Sequence, residues 1–221
     1  MSQNTPNPYP RLPSARLRNG LYAITDGPRA DFPAVARAAL EGGAAMLQYR
    51  DKTHDAMRRL REACALSESC REFEVPLIIN DDVELALASG AAGVHLGEGD
   101  SGIATARAAL GANAIIGVSC YDSLQRAREA SAAGADYLAF GAFFPSATKP
   151  GARHAKPELL RDAREFGLPL VAIGGVTAEN GGSLIAAGAD YLAVISALFG
   201  ARDVCAEAKR FTTLFEPRDN P

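Results

Sequence analysis

The eight residues AAGADYLA occur twice in this chain, at 132–139 and again, letter for letter, at 186–193. Each copy ends an amphipathic run, passes through a glycine and opens a short apolar run. A chain that reuses one helix–glycine–strand joint is built from repeated units, with Gly134 and Gly188 placed as C-caps. EGGAAMLQ at 41–48 and SGAAGVHL at 89–96 set related joints before two other strands. The repeat constrains architecture and leaves the chemistry open.

From Gly20 onward, short apolar runs alternate with longer amphipathic ones, the pattern of successive β-α units. Strands are predicted over 20–25, 44–49, 76–80, 91–96, 114–118, 136–141, 169–173 and 190–195. Helices are predicted between them, among them 32–41 and 54–72; in the second, Met57, Leu60, Cys64 and Ser67 mark one face at helical spacing. Eight units with parallel strands make a single (β/α)8 TIM barrel. With 221 residues, 48% of them hydrophobic, the chain can bury such a core. The barrel is expected over 19–215, after a Pro-rich leader at 1–18 and before a short tail at 216–221.

A net charge of -3 gives no electrostatic footprint for nucleic acid or an anionic membrane. The leader lacks the apolar core of a signal peptide, and no run reaches membrane-spanning length, so a soluble cytoplasmic protein is expected. Cys64, Cys70, Cys120 and Cys205 show no Cys-x-x-Cys spacing and are read as buried free thiols.

Catalytic groups in this fold sit where strands end and the next loop begins. The second strand ends in QYRDK, where Gln48, Arg50 and Lys52 alternate and would share a face on a continuing strand, offering two cations to a doubly charged oxyanion. The third ends in NDD and the fourth in HLGEGD. Asp81 and Asp100 therefore lie at adjacent tips, a pair of carboxylates suited to Mg²⁺, which takes one or two carboxylates and completes its shell with water and phosphate. Asp82 is placed as the N-cap of the helix that follows. PSATKPG at 145–151 sets hydroxyls on Ser146 and Thr148 beside Lys149, as a phosphate-contacting lid would. IGGV at 173–176 and VISA at 194–197 end the last two strands, where many barrels bind a phosphate monoester on backbone amides. The three histidines, His54, His95 and His154, form no ligand or triad pattern, and His95 is read as a packed strand-end residue outside the mechanism.

Taken together, LQYRDK (47–52), INDD (79–82), GVHLGEGD (93–100), GVS (117–119), GAFFPSATK (141–149), IGGV and VISA resemble the thiamine-phosphate synthase family, in order from about Leu21 to Phe199. The resemblance implies condensation of 4-amino-2-methyl-5-(diphosphooxymethyl)pyrimidine with 4-methyl-5-(2-phosphooxyethyl)thiazole, giving thiamine phosphate and pyrophosphate by a Mg²⁺-dependent dissociative path. It implies that Gln48, Tyr49, Arg50, Asp51, Lys52, Asn80, Ser119 and Lys149 hold the pyrimidine diphosphate, with Arg50, Lys52, Ser119 and Lys149 catalytic. It further implies that Ser146, Ala147, Thr148, Gly175, Ile195 and Ser196 hold the thiazole phosphate, that Asp81 and Asp100 bind Mg²⁺, and that the enzyme is a homodimer. Tyr49, Ser146 and Glu98 depart from the residues frequent in the family at those positions, and the leader lies outside the match.

Two other readings use parts of the same pattern. A thiazole tautomerase of the same superfamily needs the phosphate site at the last two strands but not Arg50, Lys52, Asp81 and Asp100 together. A non-catalytic barrel that binds a phosphorylated metabolite would show saturable binding without product.

Overall fold

A computed structural model describes residues 18–97, 102–145 and 155–216. Eight strands, β1 (Gly20–Ile24), β2 (Met46–Tyr49), β3 (Leu77–Asn80), β4 (Gly93–Leu96), β5 (Ile115–Tyr121), β6 (Tyr137–Phe140), β7 (Leu170–Ile173) and β8 (Tyr191–Val194), pair in chain order as a closed parallel barrel, β8 joining β1. Around them run α1 (Phe32–Glu41), α2 (Ala56–Glu72), α3 (Val83–Ser89), α4 (Ile103–Leu110), α5 (Leu124–Ala132), α6 (Glu158–Ala163), α7 (Gly181–Ala186), α8 (Ser196–Phe199) and α9 (Val204–Thr212).

The strand pleat sorts the core into two regions. Alternate residues such as Tyr22, Met46, Ile78, Tyr137, Val171 and Tyr191 fill the barrel interior. Their neighbours in sequence, such as Leu21, Leu47, Tyr49, Leu77, Leu138 and Leu192, pack outward against the helices. Such near-continuous apolar strands are what a parallel sheet covered on its outer face requires.

Short polar side chains start the helices. Asp55, Asp82, Ser123 and Asp203 each accept a hydrogen bond from the backbone amide three residues on, a contact typically worth about 1 kcal/mol. The expected N-cap role of Asp82 is therefore present, at 2.8 Å from the Leu85 amide. Gly134 and Gly188 take the left-handed conformation, φ 92° and 113°, at the two repeat joints.

Two expectations are corrected here. The face of α2 that packs inward carries Ala63, Leu66, Ser67 and Cys70, whereas Met57, the second residue of the helix, is 68% exposed: the inward face begins farther along the helix. Of the four free cysteines, only Cys70 and Cys120 are buried, and Cys64 and Cys205 are partly exposed. Burial pushes the Cys70 and Cys120 thiols up to about 12, so neither offers a thiolate at neutral pH. No described helix is long and apolar enough to cross a membrane.

Candidate active site

A cavity of about 950 Å³ opens at the C-terminal ends of the strands. The pleat decides which of the expected residues reach it. On β2, Met46 points into the barrel, and Gln48 and Arg50 follow on the same side to line the cavity. Tyr49 and Asp51 have the opposite parity and turn away from it. The Tyr49 ring packs edge-on against Phe32 and its hydroxyl donates to Glu62 at 2.7 Å. The Asp51 carboxylate is fully buried, 2.7 Å from Arg58, and accepts from the Thr53 amide at 2.8 Å. Burial alone would raise the Asp51 pKa, but the Thr53 and Arg58 hydrogen bonds outweigh it and the group lies below its ordinary value. The side chains of both residues thus brace the loop that carries Arg50 and Lys52, and neither meets the cavity.

Lys52 also departs from expectation. Strand β2 ends at Tyr49, so the alternation that carries Gln48 and Arg50 inward does not continue to residue 52. Lys52 lies on the rim, 63% exposed, with its ammonium 3.7 Å from Asp81. A pair this exposed contributes little to stability and leaves the cation available to a ligand. Arg50 is held differently: its amide donates to the buried Thr25 hydroxyl at 2.8 Å, which donates back to the Arg50 carbonyl at 3.2 Å.

At the tip of β3, Asn80 lines the cavity and its amide donates to Asp81 at 2.5 Å. Asp81 is one of three non-glycine residues in the left-handed region among those described, with φ 63°, and its own amide donates to the His95 carbonyl at 2.8 Å. Tyr121, φ 55°, is another, just past a bulge where the register of β5 against β6 shifts between Ser119 and Tyr121. Bulges and strained backbone of this kind collect where a strand end must aim side chains at a ligand.

Asp81 supplies a partly exposed hard-oxygen donor beside a cationic rim. Among the described residues, no three His, Cys, Asp or Glu side chains converge as a metal cage. A donor set this sparse fits Mg²⁺, which keeps waters and substrate phosphate in its shell. Asp100, its expected partner, lies outside the described residues, as do Ser146, Ala147, Thr148 and Lys149.

Gly175, Ile195 and Ser196, just past the ends of β7 and β8, line the same cavity. Gly175 has φ 63°, and a Cβ there would stand 2.4 Å from the Pro145 carbonyl oxygen and 2.7 Å from that of Phe144. The glycine is therefore demanded by the chain leaving β6. Asn180 ties the same turn, donating to the Gly175 carbonyl at 3.0 Å and accepting from the Thr177 amide at 2.8 Å.

The floor holds His95, packed at the end of β4 as expected, with two tyrosines that sequence reasoning did not single out. His95, Tyr22 and Tyr137 are buried inside the barrel; Tyr137 hydrogen-bonds to His95 at 2.9 Å and to Tyr22 at 2.8 Å, and His95 reaches Ser119 at 2.8 Å. Burial pushes both phenols far above their ordinary pKa, so they stay neutral. Gly117 makes room for this arrangement, since a Cβ there would lie 1.8 Å from the Tyr137 ring. Arg126 was missed as well: it donates to the backbone carbonyls of Ser119, at 2.6 Å, and Gly97, at 2.9 Å, fastening the ends of β4 and β5 together. The period-2 pattern was the available signal for Tyr22 and Tyr137, which it turns inward, but inward tyrosines read as core.

The chain matches the family model described as thiamine monophosphate synthase over residues 21–198. It is 53% identical over 198 residues to the thiamine-phosphate synthase of Methylobacillus flagellatus, covering 89% of this chain and 95% of that one. To the thiamine-phosphate synthase of Chromobacterium violaceum it is 54% identical over 201 residues, covering 90% and 97%. A solved structure of thiamine phosphate pyrophosphorylase from Pyrococcus furiosus superposes with a TM-score of 0.81 at 37% identity, covering 90% of this chain and 96% of the other.

Proposed function

From the premise that the chain belongs to the thiamine monophosphate synthase family, and is therefore a transferase of thiamine biosynthesis, we propose how its cavity divides the work. The pyrimidine diphosphate lies on the side of Gln48, Arg50, Asn80 and Ser119, and Lys52 and Lys149 are assigned to the same substrate. The thiazole phosphate lies against Gly175, Ile195 and Ser196, and Ser146, Ala147 and Thr148 are assigned to it as well. The observation that carries this reading is that one cavity of about 950 Å³ is lined both by Gln48, Arg50, Asn80 and Ser119, on or just past β2, β3 and β5, and by Gly175, Ile195 and Ser196, at the ends of β7 and β8, near the upper end of the range for a ligand site.

The reaction breaks the bond between the pyrimidine CH₂ and the diphosphate oxygen, and the electron pair leaves on that oxygen. The thiazole nitrogen then gives its lone pair to the CH₂ carbon. Charge grows on the departing diphosphate, where Arg50, Lys52 and Lys149 neutralise it and the Ser119 hydroxyl hydrogen-bonds to it; positioned charge of this kind lowers the barrier without a protein nucleophile. Tyr49 and Asp51 act from behind, keeping the β2 loop in place. Asp81 and Asp100 would hold Mg²⁺, which when bound adds Lewis-acid charge beside the leaving group. A homodimeric cytoplasmic enzyme whose catalytic unit is one barrel over 19–215 completes the proposal.

Mixing both substrates tests it. Thiamine phosphate should accumulate with Mg²⁺ and stop on chelation. Asp81→Asn should lose the Mg²⁺-dependent rate while its unfolding transition stays in place, and Asp82→Asn, which keeps a cap acceptor, should stay active. Turnover of the thiazole phosphate alone, or full activity in chelator, would overturn the assignment.

A further inference from the structure

The side chains of Gln48, Tyr22, Tyr137, His95 and Ser119 form one continuous hydrogen-bonded line across the cavity floor, from β2 through β1, β6 and β4 to β5. We infer that this line has a single polarity, so that Tyr22, Tyr137 and His95 are positioning residues that force the Ser119 hydroxyl to act as a donor to the leaving diphosphate. The inference rests on the placement of that diphosphate at Ser119 proposed above.

Polarity follows from counting protons. The Gln48 amide nitrogen, Nε2, lies 2.7 Å from the Tyr22 hydroxyl and can only donate to it. The Tyr22 proton then needs an acceptor in a place where the residue is 1% exposed. Among the described residues that acceptor is the Tyr137 oxygen, 2.8 Å away. Leaving a buried donor unused costs about 1–3 kcal/mol, enough to fix the direction of that bond. Tyr137, having accepted, donates its own proton to His95 Nδ1 at 2.9 Å. Both phenols keep their protons, because burial holds them far from ionisation.

With Nδ1 accepting from Tyr137, His95 carries its proton on Nε2 and donates it to Ser119 Oγ at 2.8 Å. Ser119, at the cavity wall and partly exposed, has its oxygen engaged from behind, and its one proton is left to face the cavity. A serine that was free to rotate could present either a lone pair or a proton to the ligand. Here one lone pair accepts from His95, so the Ser119 proton is not spent on the imidazole and is available to the anion. Each bond in such a line also polarises the next, strengthening the terminal donor.

The test has one measurement that needs no activity. Imidazole ¹⁵N and ¹³C shifts separate the two neutral tautomers, and the His95 signal is the one of three histidines that disappears in His95→Gln. The expected wild-type spectrum shows the Nε2–H tautomer, and Tyr137→Phe should convert it to a mixture with Nδ1–H. In steady-state kinetics Tyr137→Phe should lower kcat and kcat/KM for the pyrimidine diphosphate together, by roughly 10²-fold, with the KM for the thiazole phosphate unchanged. His95→Gln, which can still offer an N–H toward Ser119, should keep more activity than His95→Leu. An Nδ1–H tautomer in the wild type, meaning the line runs the other way, would overturn the inference. So would an unmoved tautomer and unmoved kcat in Tyr137→Phe. Failure of the wild type to form thiamine phosphate would strike the diphosphate placement instead, while leaving the tautomer result readable.

Discussion

Tyr137 and Tyr191 occupy the same position in two identical octapeptides, yet one hydroxyl is tied to His95 and Tyr22 and the other is buried with no hydrogen-bond partner among the described residues. The joints themselves are alike. In the first copy the Asp136 amide donates to the Ile116 carbonyl at 2.7 Å and the Asp136 carboxylate accepts from the Ile116 amide at 2.8 Å. In the second, Asp190 makes the same two contacts with Leu170, both at 2.8 Å. Each aspartate also faces an arginine, Arg107 or Arg164. The eight residues determine a joint that clamps one strand to the next. What the tyrosine at its end does depends on the strands it meets: β5 brings Gly117 alongside Tyr137, whereas Tyr191 pairs with Gly20 on β1 and Val171 on β7.

The largest effect expected from this comparison is at the glycines. A Cβ at Gly117 would lie 1.8 Å from Tyr137 Cζ and 2.3 Å from both Cε atoms, and that ring is fully buried with nowhere to swing. A Cβ at Gly20 would meet only the Ala45 methyl, at 2.8 Å. Gly117→Ala should therefore cost about 3 kcal/mol or more, and Gly20→Ala about 1 kcal/mol, read from urea midpoints at constant slope. Equal costs would mean that the space beside Tyr137 is not what separates the two copies.

A smaller contrast lies in the clamps. Arg107 approaches Asp136 to 2.6 Å, with the two side chains 21% and 17% exposed, whereas Arg164 stands 3.3 Å from Asp190 and is 53% exposed. Asparagine keeps an acceptor for the strand amide and removes the charge. Asp136→Asn should lose about 2 kcal/mol, the range for a hydrogen bond to a charged partner, and Asp190→Asn less than about 1 kcal/mol, as for solvent-screened pairs. Raising the salt concentration should shrink the second loss further and hardly touch the first.

The barrel was legible because its evidence is periodic: alternation every two residues and joints at glycine placed all eight strands, with only β5 running past its expected end, to Tyr121. The strand-tip residues Gln48, Arg50, Asn80 and Ser119 followed, since parity and strand ends are both visible in sequence. Parity should have turned Tyr49 and Asp51 outward, and the end of β2 at Tyr49 released Lys52 from its expected alignment with Arg50. The floor was hidden for a different reason. Tyr22, Tyr137 and Tyr191 are indistinguishable as inward-facing aromatics, and no local pattern tells a hydroxyl with partners from one without. His95 has apolar neighbours in sequence, and its partners lie on β5 and β6, 24 and 42 residues away. Contacts of that range exist only once the barrel closes.

The smallest effect should be at Tyr191. Its ring packs edge-on against Tyr22, with centroids 6.4 Å apart at 69°, and phenylalanine keeps that contact. What phenylalanine removes is a buried hydroxyl whose lost hydration has no compensating hydrogen bond among the described residues, so Tyr191→Phe should leave stability unchanged or raise it by up to about 1 kcal/mol. Turnover should not move, since the hydroxyl stands outside the line that ends at Ser119. Tyr137→Phe is its matched control: the same atom is deleted from the same octapeptide, but His95 Nδ1 and the Tyr22 proton are left without partners, so stability should fall along with kcat. If Tyr191→Phe instead loses more than about 1 kcal/mol, its hydroxyl is satisfied by an internal water held in the barrel. The two tyrosines would then differ in the identity of their partners, protein in one copy and solvent in the other, and no longer in whether they have any.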